Sequence, residues 1–199
     1  MRTVARGVHS WTQHSERLGY NLNGFYWTAG EDAVAVDPPP LTEAMRDHME
    51  RSGKPGLIVV TNHTHWRATG ELQEWAGSVV AMSPIDAEAV AGEVRRFLFA
   101  GDELPGGWRV IEMPGKTPGE IALYREAKEG IVIVGDSLIG DPPGELRLLP
   151  AEKIHDRVQL VVSLTQLAPL EYDILLVGDG EPILHDAAQR VRDFLRELT

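Results

Sequence analysis

Apolar runs in this chain end, one after another, in glycine-rich or polar loops, and that repetition constrains the fold more than any single motif does. Leu57-Ile58-Val59-Val60 runs into Thr61-Asn62-His63-Thr64-His65-Trp66-Arg67-Ala68-Thr69-Gly70, and Trp108 to Met113 runs into Pro114-Gly115-Lys116-Thr117-Pro118-Gly119. Ile131-Val132-Ile133-Val134 runs into Gly135-Asp136-Ser137, and Ile174-Leu175-Leu176-Val177 into Gly178-Asp179-Gly180. Short continuous aliphatic runs of this kind suit strands buried on both faces. In open α/β sheets the loops beyond the carboxyl ends of strands are where sites assemble, so these loops predict a shared rim.

The remaining segments supply partners for those strands. Tyr20 to Trp27 and Ala33 to Val36 flank the turn signal Ala29-Gly30-Glu31-Asp32 and predict antiparallel β-structure, stopped by Asp37 and the prolines behind it. Thr42 is placed to cap a helix of about ten residues from Glu43, ended by Ser52-Gly53-Lys54-Pro55-Gly56. A helix around Glu71–Trp75, a strand at Ser78–Met82, a helical segment after Pro84, a loop from Gly101 to Gly107 and a strand at Ile121–Tyr124 follow. Glu152 to Leu167 is expected to form one helix with Ile154, Val158, Val161, Val162 and Leu164 on a broad apolar face. The last helix carries Leu184, Ala187, Ala188, Val191, Phe194, Leu195 and Leu198 as one inward stripe.

Composition narrows the function classes. The 199 residues fit one domain spanning 1–199, and 43% hydrophobic with 25% charged residues is a soluble globular composition. A formal net charge of −11 argues against nucleic acid and against anionic membrane surfaces. Cysteine is absent, which removes disulfides, thiolate metal sites and a cysteine nucleophile and leaves His, Asp and Glu as the available metal ligands. Met1 to Gly7 lacks the apolar core of a signal peptide and no run is long enough to span a bilayer, so the expected location is cytoplasmic. A homodimer is a mild expectation with no motif behind it.

Taken together, the loops resemble the motifs of the metallo-β-lactamase superfamily over nearly the whole chain. Asp37 is similar to the family's first aspartate, and Asn62-His63-Thr64-His65-Trp66-Arg67-Ala68-Thr69-Gly70 to its His-x-His-x-Asp-His stretch and trailing glycine. Met113 to Gly119 resembles the segment carrying the next ligand histidine before Thr-Pro-Gly, Gly135-Asp136-Ser137-Leu138 the Gly-Asp motif, and Gly178-Asp179-Gly180 the closing Gly-His-Gly. The resemblance implies a four-layer αββα sandwich of two mixed β-sheets covered by helices, in the α/β (α+β) class. It keeps His63, His65 and Asp136 at ligand positions, but places Arg67 at an aspartate position, Ala68 and Lys116 at histidine positions, and Asp179 at the last histidine. Shifted by one residue, the first motif would start from Thr61 and leave Asn62 and Thr64 at the first ligand positions; Gly70 and Leu72 favour the unshifted register.

Two readings follow. His63, His65 and Asp136 could hold a single divalent ion (zinc, iron or manganese), with Asp179 as a further ligand, and serve a hydrolase acting on an ester, thioester or phosphoester. Alternatively Arg67 and Lys116 pair with Asp136 and Asp179 in the old metal volume, and the chain is a metal-free small-molecule-binding or scaffolding protein whose basic pair takes a small anion. The number of substituted ligand positions favours the second, with no cofactor. The plain alternatives stand beside these: His63 and His65 suit ordinary loop hydrogen bonds, Asp136 suits a loop-tying carboxylate, Asp37 suits a structural role, and His9, His14, His48, His155 and His185 suit exposed positions.

Overall fold

The computed structural model describes residues 1–198, leaving the last residue of the expected 1–199 domain outside the described part. Strands β1 (Arg2–Ala5), β2 (Val8–Ser15), β3 (Tyr20–Ala29) and β4 (Asp32–Val36) form an antiparallel meander. Helix α1 (Glu43–Ser52) leads to β5 (Leu57–Val59), and α2 (Thr69–Ala76) to β6 (Val79–Met82). A helical crossover is what lets neighbouring strands run parallel. β4, β5 and β6 pair in that way, with Val36 opposite Val59 and Val59 opposite Ala81. After α3 (Pro84–Ala87), the two-residue β7 (Arg96–Phe97) closes a seven-stranded sheet in sequential order. The second sheet holds five strands in the order β12 (Ile174–Val177), β11 (Ile131–Val134), β10 (Ile121–Arg125), β9 (Trp108–Glu112), β8 (Glu103–Leu104). Its β11–β12 pair is parallel and the rest antiparallel, so both sheets are mixed.

The side-chain alternation of the strands separates three apolar layers. Val34, Val36, Phe25 and Trp27 from the first sheet meet Val110, Leu123, Ile131 and Ile133 from the second in one core between the sheets. Ala33, Ala35, Ile58 and Val80 face the other way, onto Met45, Met49 and Leu72 of α1 and α2. Val132, Val134, Leu175 and Val177 cover the outer face of the second sheet, against α4 (Arg157–Thr165) and α5 (Ala187–Leu198). Helix, sheet, sheet, helix is therefore the order of layers. Trp27 and Trp108 bridge the sheets with ring centroids 4.7 Å apart. Each fully buried side chain of this size contributes about 1.5–3 kcal/mol of transfer free energy.

Several expected boundaries differ. The helix expected from Glu152 to Leu167 is split: Ala151–Lys153 is a 3-10 turn, and α4 starts only after Asp156, whose carboxylate accepts from the Gln159 amide at 2.9 Å. That cap sits inside the periodic pattern and overrides it. Val158 and Val162 are exposed at 76% and 55%, so the broad apolar face is narrower than the spacing predicts. α5 begins at Ala187, because Leu184 belongs to the preceding loop. β1 and β2 were not anticipated as strands, and the half-buried His9 and His48 stack edge to face at 4.7 Å where exposed rings were expected.

Candidate functional site

The carboxyl ends of β4, β5, β9, β11 and β12 deliver Asp37, the 61–67 loop, Lys116, Asp136 and Asp179 to one edge of the sandwich. Asp37 is fully buried and sits at φ 48, in the left-handed region where Asp is tolerated better than most residues. Its carboxylate accepts from the Thr61 amide (2.8 Å) and hydroxyl (2.6 Å) and from His65 Nδ1 (2.8 Å). It thereby fixes the loop and the ring together. Gly178 makes room for that ring: a Cβ there would stand 2.4 Å from His65 Cε1.

The other face of the imidazole meets the acids. His65 Nε2 lies 3.1 Å from Asp136 Oδ1, whose second oxygen lies 2.6 Å from Lys116 Nζ. Lys116, only 7% exposed, also donates to the Thr64 hydroxyl, which is 3.1 Å from Asp136 Oδ2. Arg67, in the left-handed region at φ 39, turns its guanidinium inward. Nη2 lies 2.6 Å from Asp179 Oδ1, and Nη1 donates to the Asn23 carbonyl at 2.9 Å. Burial and the Arg67 charge lower the proton affinity of His65, but Asp136 and Asp37 outweigh them and lift its pKa to about 9. Nδ1 of the ring thus faces Asp37, and Nε2 is shared between Asp136 and Arg67 Nη2, which stands 2.9 Å away. Burial alone would raise Asp136, yet His65 and Lys116 hold it well below the usual carboxylate range. Burial raises Asp179 above its ordinary value, with Asp136 adding to the shift and His65 and Arg67 opposing it.

Beneath this layer lies Glu120, which sequence reasoning missed because no motif marks it. Its Oε1 accepts from the Asp136 and Ser137 amides at 2.7 and 2.9 Å. Burial, reinforced by Asp136, pushes it up to about 8, against the opposing charges of Lys116 and His65. Asp86, also unmarked, accepts from the His63 amide (2.9 Å), the Thr117 hydroxyl (2.7 Å) and the Gly119 amide (2.9 Å). It joins two motif loops.

Of the sequence-derived candidates, Arg67, Lys116, Asp136, Asp179 and His65 share one cleft of about 390 Å³. His63 does not: its ring turns to Asp86, with Nδ1 3.3 Å from Oδ2, on the far side of the 3-10 turn His63–His65. The expected ligand set of His63, His65 and Asp136 is thus not brought together. Among the described residues, the side chains close enough to share an ion are His65, Asp136 and Asp179, with ligand atoms within 4.8 Å of one another. Each of those residues already faces a protein partner. Thr64, from the shifted register, lines the cleft as well, as do Arg17, Leu18, Tyr20, Leu22, Leu149 and Lys153. No helix among the described residues is long and apolar enough to cross a membrane.

The family model described as the metallo-β-lactamase superfamily matches residues 1–198. A hydroxyacylglutathione hydrolase from Chelativorans sp. (strain BNC1) is 30% identical over 144 residues, which is 69% of this chain and 54% of that protein. The probable metallo-hydrolase YqjP from Bacillus subtilis (strain 168) is 37% identical over 82 residues, 39% of this chain and 25% of that protein. The chain therefore matches about half of the first relative's length and a quarter of the second's. Among solved structures, a metallo-β-lactamase family protein from Thermus thermophilus superposes with TM-score 0.73 at 20% identity, covering 98% of this chain and 80% of that one. A Cronobacter sakazakii metallo-β-lactamase described by a HARLDQ motif superposes with TM-score 0.70 at 17% identity, covering 99% and 91%. With its layers, its rim loops and a family match over its described length, the chain belongs to the metallo-β-lactamase superfamily.

Proposed function

We propose that this chain is a metal-free member of the superfamily in which protein cations take the place of ions, and that it acts as a small-molecule-binding protein. The observation that carries the reading is the pair of contacts Lys116–Asp136 and Arg67–Asp179, each at 2.6 Å. Counting formal charges, Lys116, Arg67 and protonated His65 balance Asp37, Asp136 and Asp179 without any other ion. Two unit charges about 4 Å apart interact by roughly 4 kcal/mol at an effective dielectric of 20, and a divalent ion doubles that. An ion entering here meets that repulsion from both cations. Ala68, at a histidine position of the motif, offers no ligand atom.

A second reading is favoured by the cluster of His65, Asp136 and Asp179 and by the hydrolase names of the relatives: a single zinc, iron or manganese ion serving hydrolysis of an ester, thioester or phosphoester. It requires Arg67 to leave Asp179 and His65 to give up its Nε2 proton. Metal analysis of protein purified without chelators, followed by titration with each of these ions, separates the two. Absence of stoichiometric metal and of saturable uptake is expected; one ion per chain would overturn the metal-free reading.

A further inference from the structure

We infer that the cleft takes an amphipathic anion, its charged head held at the mouth by Arg17 and Lys153 and its apolar body laid on Leu18, Tyr20, Leu22 and Leu149. The inference rests on the metal-free reading, because it takes the floor of the cleft to be electrically closed. In the sequence, Arg67 and Lys116 stand out as the basic pair for an anion. Both are already engaged, Arg67 with Asp179 and backbone carbonyls, Lys116 with Asp136 and Thr64. Neither is free to meet a ligand without breaking a buried ion pair.

The mouth is different. Arg17 lies in the β2–β3 turn, which is held by the Leu18 and Gly19 amides on the Ser15 carbonyl at 3.1 and 2.8 Å. Lys153 lies in the 3-10 turn Ala151–Lys153, fixed by its own amide on Pro150 at 2.9 Å and by the next loop's His155 amide on the Lys116 carbonyl at 3.1 Å. Both side chains are exposed and line the cleft, and among the described residues neither has an ion-pair or hydrogen-bond partner. The same cleft has an apolar wall. Tyr20, Ile139 and Leu149 form a small buried cluster with Leu18 and Leu22 packed against it. Glu16 and Glu152 neighbour the two cations in the chain, but neither pairs with them among the described residues, and acids farther than about 8–10 Å are largely screened at physiological salt. The volume of about 390 Å³ falls within the roughly 300–1,000 Å³ usual for small-molecule sites. An anionic head with an apolar chain matches both surfaces at once.

Calorimetric titration of the full chain, first shown to be free of metal, tests this with octanoate, octyl phosphate, octanol, octylammonium and acetate as probes. One-site binding of octanoate or octyl phosphate is expected, the stronger of the two identifying the head group. Octanol should bind roughly tenfold more weakly or worse, and octylammonium and acetate not at all. Raising the salt should weaken octanoate and leave octanol unchanged. The double variant Arg17→Ala/Lys153→Ala should bring octanoate down to the level of octanol, and Leu18→Ser should weaken both. Equal binding of octanoate and octylammonium, an unaltered octanoate affinity in the double variant, or no binding by any probe would overturn the inference. One metal ion per chain would instead overturn the reading beneath it, before any probe is added.

Discussion

The floor and the mouth of the same cleft obey opposite rules. On the floor, Lys116, Arg67 and His65 are almost fully enclosed, and each has a carboxylate within 3.1 Å. At the mouth, Arg17 and Lys153 stand in solvent, and among the described residues neither side chain forms an ion pair, although Glu16 and Glu152 neighbour them in the chain. The difference is one of desolvation. A buried charge left alone costs several kcal/mol, whereas an exposed one is stabilised by water and can stay unpaired until a ligand arrives. Charges that look alike in the sequence therefore do different work: those on the floor hold the loops, and those at the mouth are open to a partner.

The comparison can be broken most severely by rebuilding the floor. Arg67→Asp, Ala68→His, Lys116→His and Asp179→His together restore ligand chemistry at the substituted positions, and the variant is expected to take up stoichiometric zinc that the parent does not; equal metal content in both would erase the distinction. Next in size, Asp136→Ala strands Lys116 and His65 without their shared acid and should destabilise the fold by about 3–5 kcal/mol in denaturant unfolding. A loss below about 1 kcal/mol would mean that the pairing is not what holds the floor. Stability should also fall as pH rises. His65 has a folded pKa near 9, above its ordinary 6.5, so its contribution is complete below 6.5 and disappears as pH climbs through 9. Glu120, at about 8 against an ordinary 4.5, acts in the same direction between those values. Thermal unfolding at pH 6 and pH 9 should show the difference, and Glu120→Gln should flatten part of the slope; a midpoint independent of pH would count against both assignments. Smallest of all, Arg17→Ala and Lys153→Ala should each change stability by no more than about 0.5 kcal/mol, as exposed unpaired side chains do.

The framework of this molecule was legible because β-strands buried on both faces leave continuous apolar runs, as at Ile131–Val134 and Ile174–Val177. β2 escaped notice because its buried Val8, Ser10 and Trp11 are interleaved with polar residues and leave no such run. The start of α4 escaped because an N-cap aspartate sits inside a segment whose apolar spacing continues through it. At the site, the pairing of Arg67 and Lys116 with Asp179 and Asp136 could be read from charge placed where ligands are usual. The separation of His63 from His65 could not. Two residues apart on a strand they would share a face, but on a 3-10 turn they diverge, and only the structure shows that the strand has ended at Val59. Glu120 and Asp86 were invisible for another reason: a single acid acquires its role from the amides that converge on it, and those come from distant loops.

Asp86 has a consequence for how such a site can change over time. It grips the His63 amide, the Thr117 hydroxyl and the Gly119 amide from a helix that belongs to neither loop. The loops' shape is thus vested in a residue that does not line the cleft, and the side chains they display can be exchanged without the loops losing their course. A histidine could give way to Lys116 and an aspartate to Arg67 one at a time, each intermediate still folded, because the mould is not cast around the ligand positions.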